Sequence, residues 1–155
     1  MNKQLEKIKI VLPEADWHQF AAETIWANPI GNGKYILENS PLFANDLSYK
    51  DIVYAQYEEK EEGFPVFKKV IESSKHSTYR IFFSKEKNLD EFEKYFDALF
   101  KIGCTYEGIH STHFSVDVPA ETDVMKAFDF LKKGEEDGIW FFESSHIGHN
   151  IDIGE

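Results

Sequence analysis

The chain has 155 residues, 42% of them hydrophobic, and a formal charge of −11 set by 28 Asp and Glu against 17 Lys and Arg. That composition, with 14 phenylalanines, suffices for a packed core and excludes a disordered chain, while a polyanion repels nucleic acid and anionic lipid and attracts cations or basic proteins. No run approaches the roughly 18 apolar residues of a membrane span, Met1 to Lys9 has no apolar stretch of signal-peptide length, and a single cysteine, Cys104, makes no internal disulfide, so a soluble cytoplasmic protein is expected.

The first half reads as strands. Ile8, Ile10 and Leu12 alternate with Lys7, Lys9 and Val11 until Pro13, the pattern of a strand with one buried face. A second strand is expected from Phe20 to Trp26. Asn32-Gly33 tolerates positive φ and suits a hairpin turn, with Tyr35 to Leu37 returning. Ile52 to Tyr57 and Val66 to Ile71 are two further strands, joined by the charged run Glu58 to Glu62 and Gly63. Short strands without a helix predict a small, partly open β-barrel over residues 1–75.

After Ser74 the pattern changes. Thr78 to Phe83 is a strand, and Asn88 with Glu91 starts a helix. Leu89, Phe92, Phe96, Leu99 and Phe100 share one face of it before Gly103. Thr105 to His110 and His113 to Val118 read as a hairpin stopped by Pro119. A second helix from Thr122 carries Val124, Ala127, Phe128 and Leu131 to an end at Gly134, and Ile139 to Phe142 is the last strand. The order is β-α-β-β-α-β, predicting an α+β protein in which the barrel packs rigidly on a ferredoxin-like unit over residues 76–145. Residues 146–155 are expected to be a flexible tail. Trp17, Trp26 and Trp140 are read as core.

Several motifs follow one another in order: Pro29 to Tyr35 (PIGNGKY), Asn39 to Ala44 (NSPLFA), Asp51 to Val53, His76 to Arg80 (HSTYR), Gly103-Cys104, Asp117 to Pro119, Gly134-Glu135 and Gly138 to Trp140. Over roughly Lys7 to Glu143 the chain resembles an uncharacterised bacterial family, domain of unknown function four-two-six-five. The resemblance implies a bacterial origin and no particular activity. Lys75 stands where that family would have glycine before His76, and Ser40 where an aliphatic residue is common.

Candidate chemistry is sparse. His146-Ile-Gly-His149 spells the nucleotide-binding signature of class I aminoacyl-tRNA synthetases, without the following helix that the signature needs. His-Ser-Thr occurs twice, at His76 to Thr78 and His110 to Thr112, which would suit a two-histidine phosphoesterase using His76 and His110. The expected topology instead keeps these histidines on the order of 20 Å apart. His76, Thr78 and Arg80 are better read as a junction between the halves, with Arg80 paired to a carboxylate, or as a site for a small anion. His110 and His113 have too few neighbouring ligands for zinc, and Cys104 reads as buried packing. No metal or cofactor is expected.

Acid concentrates late: residues 1–75 carry −3 and residues 76–155 carry −8. Glu121 and Asp123 open the second helix, Glu135, Glu136 and Asp137 follow its end, and Glu143 lies shortly beyond. One acidic face there would steer and dock a basic protein. The leading expectation is therefore a non-enzymatic immunity-type inhibitor that neutralises a basic toxin, for example a nuclease. The alternative is a small-molecule-sensing regulatory module with a pocket near Arg80.

Overall fold

The computed structural model describes residues 4–15, 17–58, 63–84, 86–109 and 112–151. His110 and residues 59–62 of the charged loop therefore lie outside the described residues. Five strands come first: β1 (Glu6–Val11), β2 (Ala22–Gly31), β3 (Lys34–Leu37), β4 (Ile52–Gln56) and β5 (Val66–Glu72). They pair in sequence order, antiparallel throughout. The barrel is closed rather than partly open, because β1 and β5 meet in parallel at Lys9 and Val66, where the Lys9 amide donates to the Pro65 carbonyl at 2.9 Å. Asn32 (φ 57°) and Gly33 (φ 75°) form the β2–β3 turn in the left-handed region, as the Asn-Gly pair requires. Ile8, Ile10, Ile25, Leu37, Leu47 and Val53 fill the barrel interior.

The second half runs β6 (Ser77–Phe82), α1 (Leu89–Lys101), β7 (Thr105–Ile109), β8 (His113–Val118), α2 (Val124–Glu136) and β9 (Phe141–His146). Its four strands are antiparallel in the order β7-β8-β6-β9. Asn88 caps α1 by accepting from the Asp90 amide, and Asp123 caps α2 by accepting from Met125 and Lys126; such caps satisfy amides that the helix leaves unpaired. Phe92, Phe96 and Leu99 of α1 and Val124, Ala127 and Leu131 of α2 cover one sheet face, meeting Tyr79, Ile81, Phe114, Val116 and Val118.

Four further expectations are corrected. Gly134 does not end α2, which continues to Glu136; a Cβ there would lie 2.3 Å from the Trp140 ring, whose Nε1 donates to the Leu131 carbonyl at 2.8 Å. The glycine admits an indole rather than stopping a helix. Ile139 and Trp140 are accordingly core residues ahead of β9, which starts two residues later than expected. Trp17 and Trp26 are 41% and 44% exposed rather than core. The stretch expected to be a tail begins inside β9. His149 Nδ1 meets Ser77 Oγ at 2.6 Å and its Nε2 donates to the Pro119 carbonyl at 2.9 Å, while residues 152–155 lie outside the described set.

The opposite sheet face is polar, and on it the barrel sits. In a strand alternate residues share a face, so Thr78 and Arg80 of β6 and His113, Ser115 and Asp117 of β8 point away from the helices; all five are buried. A Thr78–Ser48–His146 chain crosses the seam through contacts of 2.6 and 2.7 Å. Arg80, 2% exposed, donates to the carbonyls of Leu42 (3.1 Å), Phe43 (3.0 Å) and Ala44 (3.4 Å), to Asn45 Oδ1 (3.1 Å) and to Glu143 (2.8 Å). The amides of the same three loop residues donate to the buried Glu23 carboxylate at 2.6, 3.1 and 2.9 Å.

Two stability outcomes follow from this geometry. Arg80→Lys keeps the charge and loses the planar fork, leaving buried carbonyls unpaired, and is expected to cost about 3 kcal/mol in urea unfolding; a loss under about 0.5 kcal/mol would show that the clamp is not structural. Lys75 adopts φ 68°, a left-handed conformation that L side chains resist, so Lys75→Gly is expected to gain about 1 kcal/mol in the same assay.

Candidate functional site

At one end of the polar seam lies a cleft of about 460 Å³ walled by the barrel on one side and by β7 and β8 on the other. Its polar lining includes Glu38, Ser40, His76, Glu107, Asp117 and Glu121. The local fold explains each position. Asp117 ends the polar row of β8, one residue from the Val118 that packs under the helices. Glu107 comes from β7 and bridges to the barrel, accepting from Asn39 Nδ2 at 2.9 Å and from the Ser40 amide at 2.8 Å. Glu38 follows β3 and pairs with Lys50 at 2.7 Å. Glu121 stands exposed in the turn before α2.

His76 is the cleft's titratable centre. Its Nδ1 lies 2.9 and 3.1 Å from the two oxygens of Asp117, and its ring meets Tyr49 edge to face at 5.7 Å. A Cβ on Gly148 would stand 2.1 Å from the His76 carbonyl oxygen, so a glycine there lets the C-terminal segment lie directly on the histidine's backbone. The hydrogen bond to Asp117 raises the His76 pKa above its ordinary 6.5; burial opposes this, and the charges of Asp117, Glu121 and Asp51 reinforce it. Two further polar atoms sit in the lining residues without a hydrogen-bond partner among the described residues, the buried hydroxyl oxygens of Ser40 and Ser115. With the Glu38 and Asp117 charges largely met by Lys50 and by His76 when protonated, Glu107 and Glu121 leave the cleft net negative. It is suited to a positively charged group that also donates hydrogen bonds.

The residues read from the sequence as one acidic face are not brought together. Glu121 and Asp123 lie at one end of α2 and Glu135, Glu136 and Asp137 at the other, which separates them by roughly 20 Å at about 1.5 Å per residue. Most are engaged. Asp123 caps the helix; Glu135 accepts from the Phe142 amide at 3.3 Å; Asp137 accepts from the Tyr95 hydroxyl at 2.8 Å and pairs with Lys133 at 3.4 Å. Glu143 pairs with Arg80. Arg80 and Thr78 spend their donors across the seam, and His76 faces a carboxylate, so the three do not form an anion site. His110, the second histidine of the phosphoesterase reading, lies outside the described residues. Burial pushes the Cys104 thiol up to about 12, which removes it as a nucleophile. Among the described residues no group of three or more His, Cys, Asp or Glu side chains is placed to hold a metal.

Glu38, Ser40, Glu107, Ser115 and Asp117 were not picked out as site residues by sequence reasoning. One signal was available: His113, Ser115 and Asp117 alternate with Phe114, Val116 and Val118, a pattern that marks two distinct faces, though not that the polar face is buried beneath a barrel.

The family model described as Domain of unknown function (DUF4265) matches residues 23–142. No curated protein matches the chain. Among solved structures, one described as "Novel crystal structure of a hypothetical protein from Neisseria gonorrhoeae" superposes with a TM-score of 0.78, covering 97% of this chain and all of that one at 20% identity; the likeness is one of fold.

The raised His76 pKa carries a signed consequence. The folded state holds the proton more tightly than the unfolded one, so its stabilisation is complete below about pH 6.5 and disappears as pH rises through the higher folded value. The stability advantage of the wild type over His76→Gln is expected to shrink from about pH 5.5 to about pH 8.5 in urea titrations. An advantage that stays flat or grows over that interval would contradict the His76–Asp117 pairing.

Proposed function

The chain belongs to the DUF4265 family, and from that premise we propose that it is a non-enzymatic bacterial binding protein whose acidic cleft receives a basic group of a partner protein. An immunity-type inhibitor of a basic toxin, for example a nuclease, is the form that best suits a cytoplasmic protein of this charge. Glu107, Asp117 and Glu121, converging on one cleft beside Ser40 and Ser115 hydroxyls that have no hydrogen-bond partner among the described residues, are the observation that carries the proposal. The net charge of −11 supports it, because long-range attraction speeds encounter with a cationic partner while the cleft supplies the specific contact. Relative to the sequence expectation, the contact moves from Glu135 to Asp137 to the cleft, with Glu121 common to both.

A second reading, a sensing module for a small molecule, is favoured by the cleft's position between barrel and sheet and by its volume, which falls within the roughly 300–1,000 Å³ of small-molecule sites. Its ligand would be a cation, in contrast to the small anion that His76, Thr78 and Arg80 suggest from the sequence. The order of the second sheet, fourth-first-third-second with all neighbours antiparallel and two helices on one face, supports naming that half ferredoxin-like.

Calorimetric titration with a short arginine-containing peptide tests the binding surface. Glu121→Lys is expected to weaken binding about tenfold at low salt, the advantage of the wild type falling as salt screens the charges. Glu136→Lys, at the far end of α2, is expected to leave affinity unchanged. Equal losses from both variants would show attraction to net charge alone and would remove the cleft from the account.

A further inference from the structure

At the other end of the β8 polar row the seam is aromatic. Trp17, His18, Phe20, Phe43, Phe82 and His113 line a second pocket of about 570 Å³. Their rings contact one another closely: Trp17 stacks on Phe43 at 5.5 Å, His113 stacks on Phe82 at 5.3 Å, and His113 meets Trp17 and Phe43 edge to face at 5.4 and 5.1 Å. Apolar surface remains in water there, since Trp17 and Phe20 are 41% and 53% exposed.

His113 is the odd member. Only 8% exposed, it leaves its Nε2 buried without a hydrogen-bond partner among the described residues, although unpaired buried polar atoms cost free energy and are uncommon. Burial, helped by the charge of Arg80, pushes its pKa down to about 4, against an opposing pull from the Leu42 backbone, so the ring is neutral near pH 7; in the tautomer with its proton on Nδ1, Nε2 is an acceptor. The pocket thus offers faces for a flat ring and one buried acceptor that wants an N–H or O–H. The Arg80 guanidinium, 4.6 Å from the centre of the Trp17 ring, already occupies the cation-attracting site of that indole and disfavours a second positive charge.

We propose that this pocket is a binding site, separate from the acidic cleft, for a neutral planar aromatic compound or moiety carrying one hydrogen-bond donor, which stacks among Trp17, Phe43 and Phe82 and donates to His113 Nε2. Ring burial supplies most of the affinity and the donor supplies the selectivity.

Indole is a suitable probe, with 1-methylindole and 3-methylindole as matched controls: the two have the same bulk, but only the latter keeps the N–H. Binding is read on the full chain by calorimetry, with the Trp17 side-chain N–H and the His113 ring followed by NMR. Indole and 3-methylindole are expected to bind with similar affinity and to shift both resonances, and 1-methylindole to bind about tenfold more weakly. In His113→Phe, which keeps an aromatic ring and lacks the acceptor, the tenfold preference is expected to vanish. Three results would overturn the proposal: equal affinity of the three probes for the wild type, no binding at millimolar probe, or shifts confined to residues outside the pocket. Because the probe comparison is made on the unaltered chain, it stands whether or not the variant folds, and Glu121→Lys, which tests the acidic cleft, is expected to leave it unchanged.

Discussion

Much of this structure depends on how one loop is held. Residues Leu42, Phe43 and Ala44 have their amides bound by Glu23, on barrel strand β2, and their carbonyls bound by Arg80, on the central part of the second sheet. A buried carboxylate and a buried guanidinium are costly to desolvate unless hydrogen-bonded partners surround them. Here the partners are the peptide groups of the loop itself. The loop packs on the cluster inside the barrel, which remains distinct from the one between sheet and helices, and where Arg80 meets the loop the surface between them is polar because it must meet backbone, not side-chain carbon.

A polar seam has ends, and both are pockets. Along β8 the residues facing the barrel are His113, Ser115 and Asp117, so the first and last are separated by four residues, roughly 13 Å at about 3.3 Å per residue. Asp117 meets His76 and the carboxylates of the acidic cleft; His113 meets Trp17, Phe43 and Phe82. One strand, fixed in register by Arg80↔Ser115 and Thr78↔Asp117, therefore sets the position of two groups with opposite character, a carboxylate suited to cations and a neutral imidazole suited to a donor-bearing ring. Rigid elements hold both, which limits the ordering cost of a ligand.

The elements themselves were largely legible in the sequence because local patterns determine them. Alternation in Ile8 to Leu12, the Asn32-Gly33 turn and the Asn88 cap each act within a few residues of chain. What was illegible depends on distant partners. Barrel closure rests on Lys9 meeting Val66, a parallel contact no local pattern announces. Gly134 looks like a helix terminator until Trp140 is seen to occupy the space its missing side chain leaves. The late carboxylates looked like one face because they are close in sequence, yet α2 carries them to opposite ends. The HSTYR motif lies at the seam, and its partners, Ser48, His146, Asp117 and the 42–45 loop, come from elsewhere in the chain, so its chemistry was hidden.

The central claim is that the cleft carboxylates beside His76 hold a cationic group. A bound cation and a protonated His76 compete for the same negative field, so the two equilibria are linked. An NMR titration of the His76 ring, in the free protein and saturated with an arginine-containing peptide, tests this most directly. The account predicts a pKa above the ordinary 6.5 in the free protein and a clear fall on saturation; an identical titration curve in both states would contradict it.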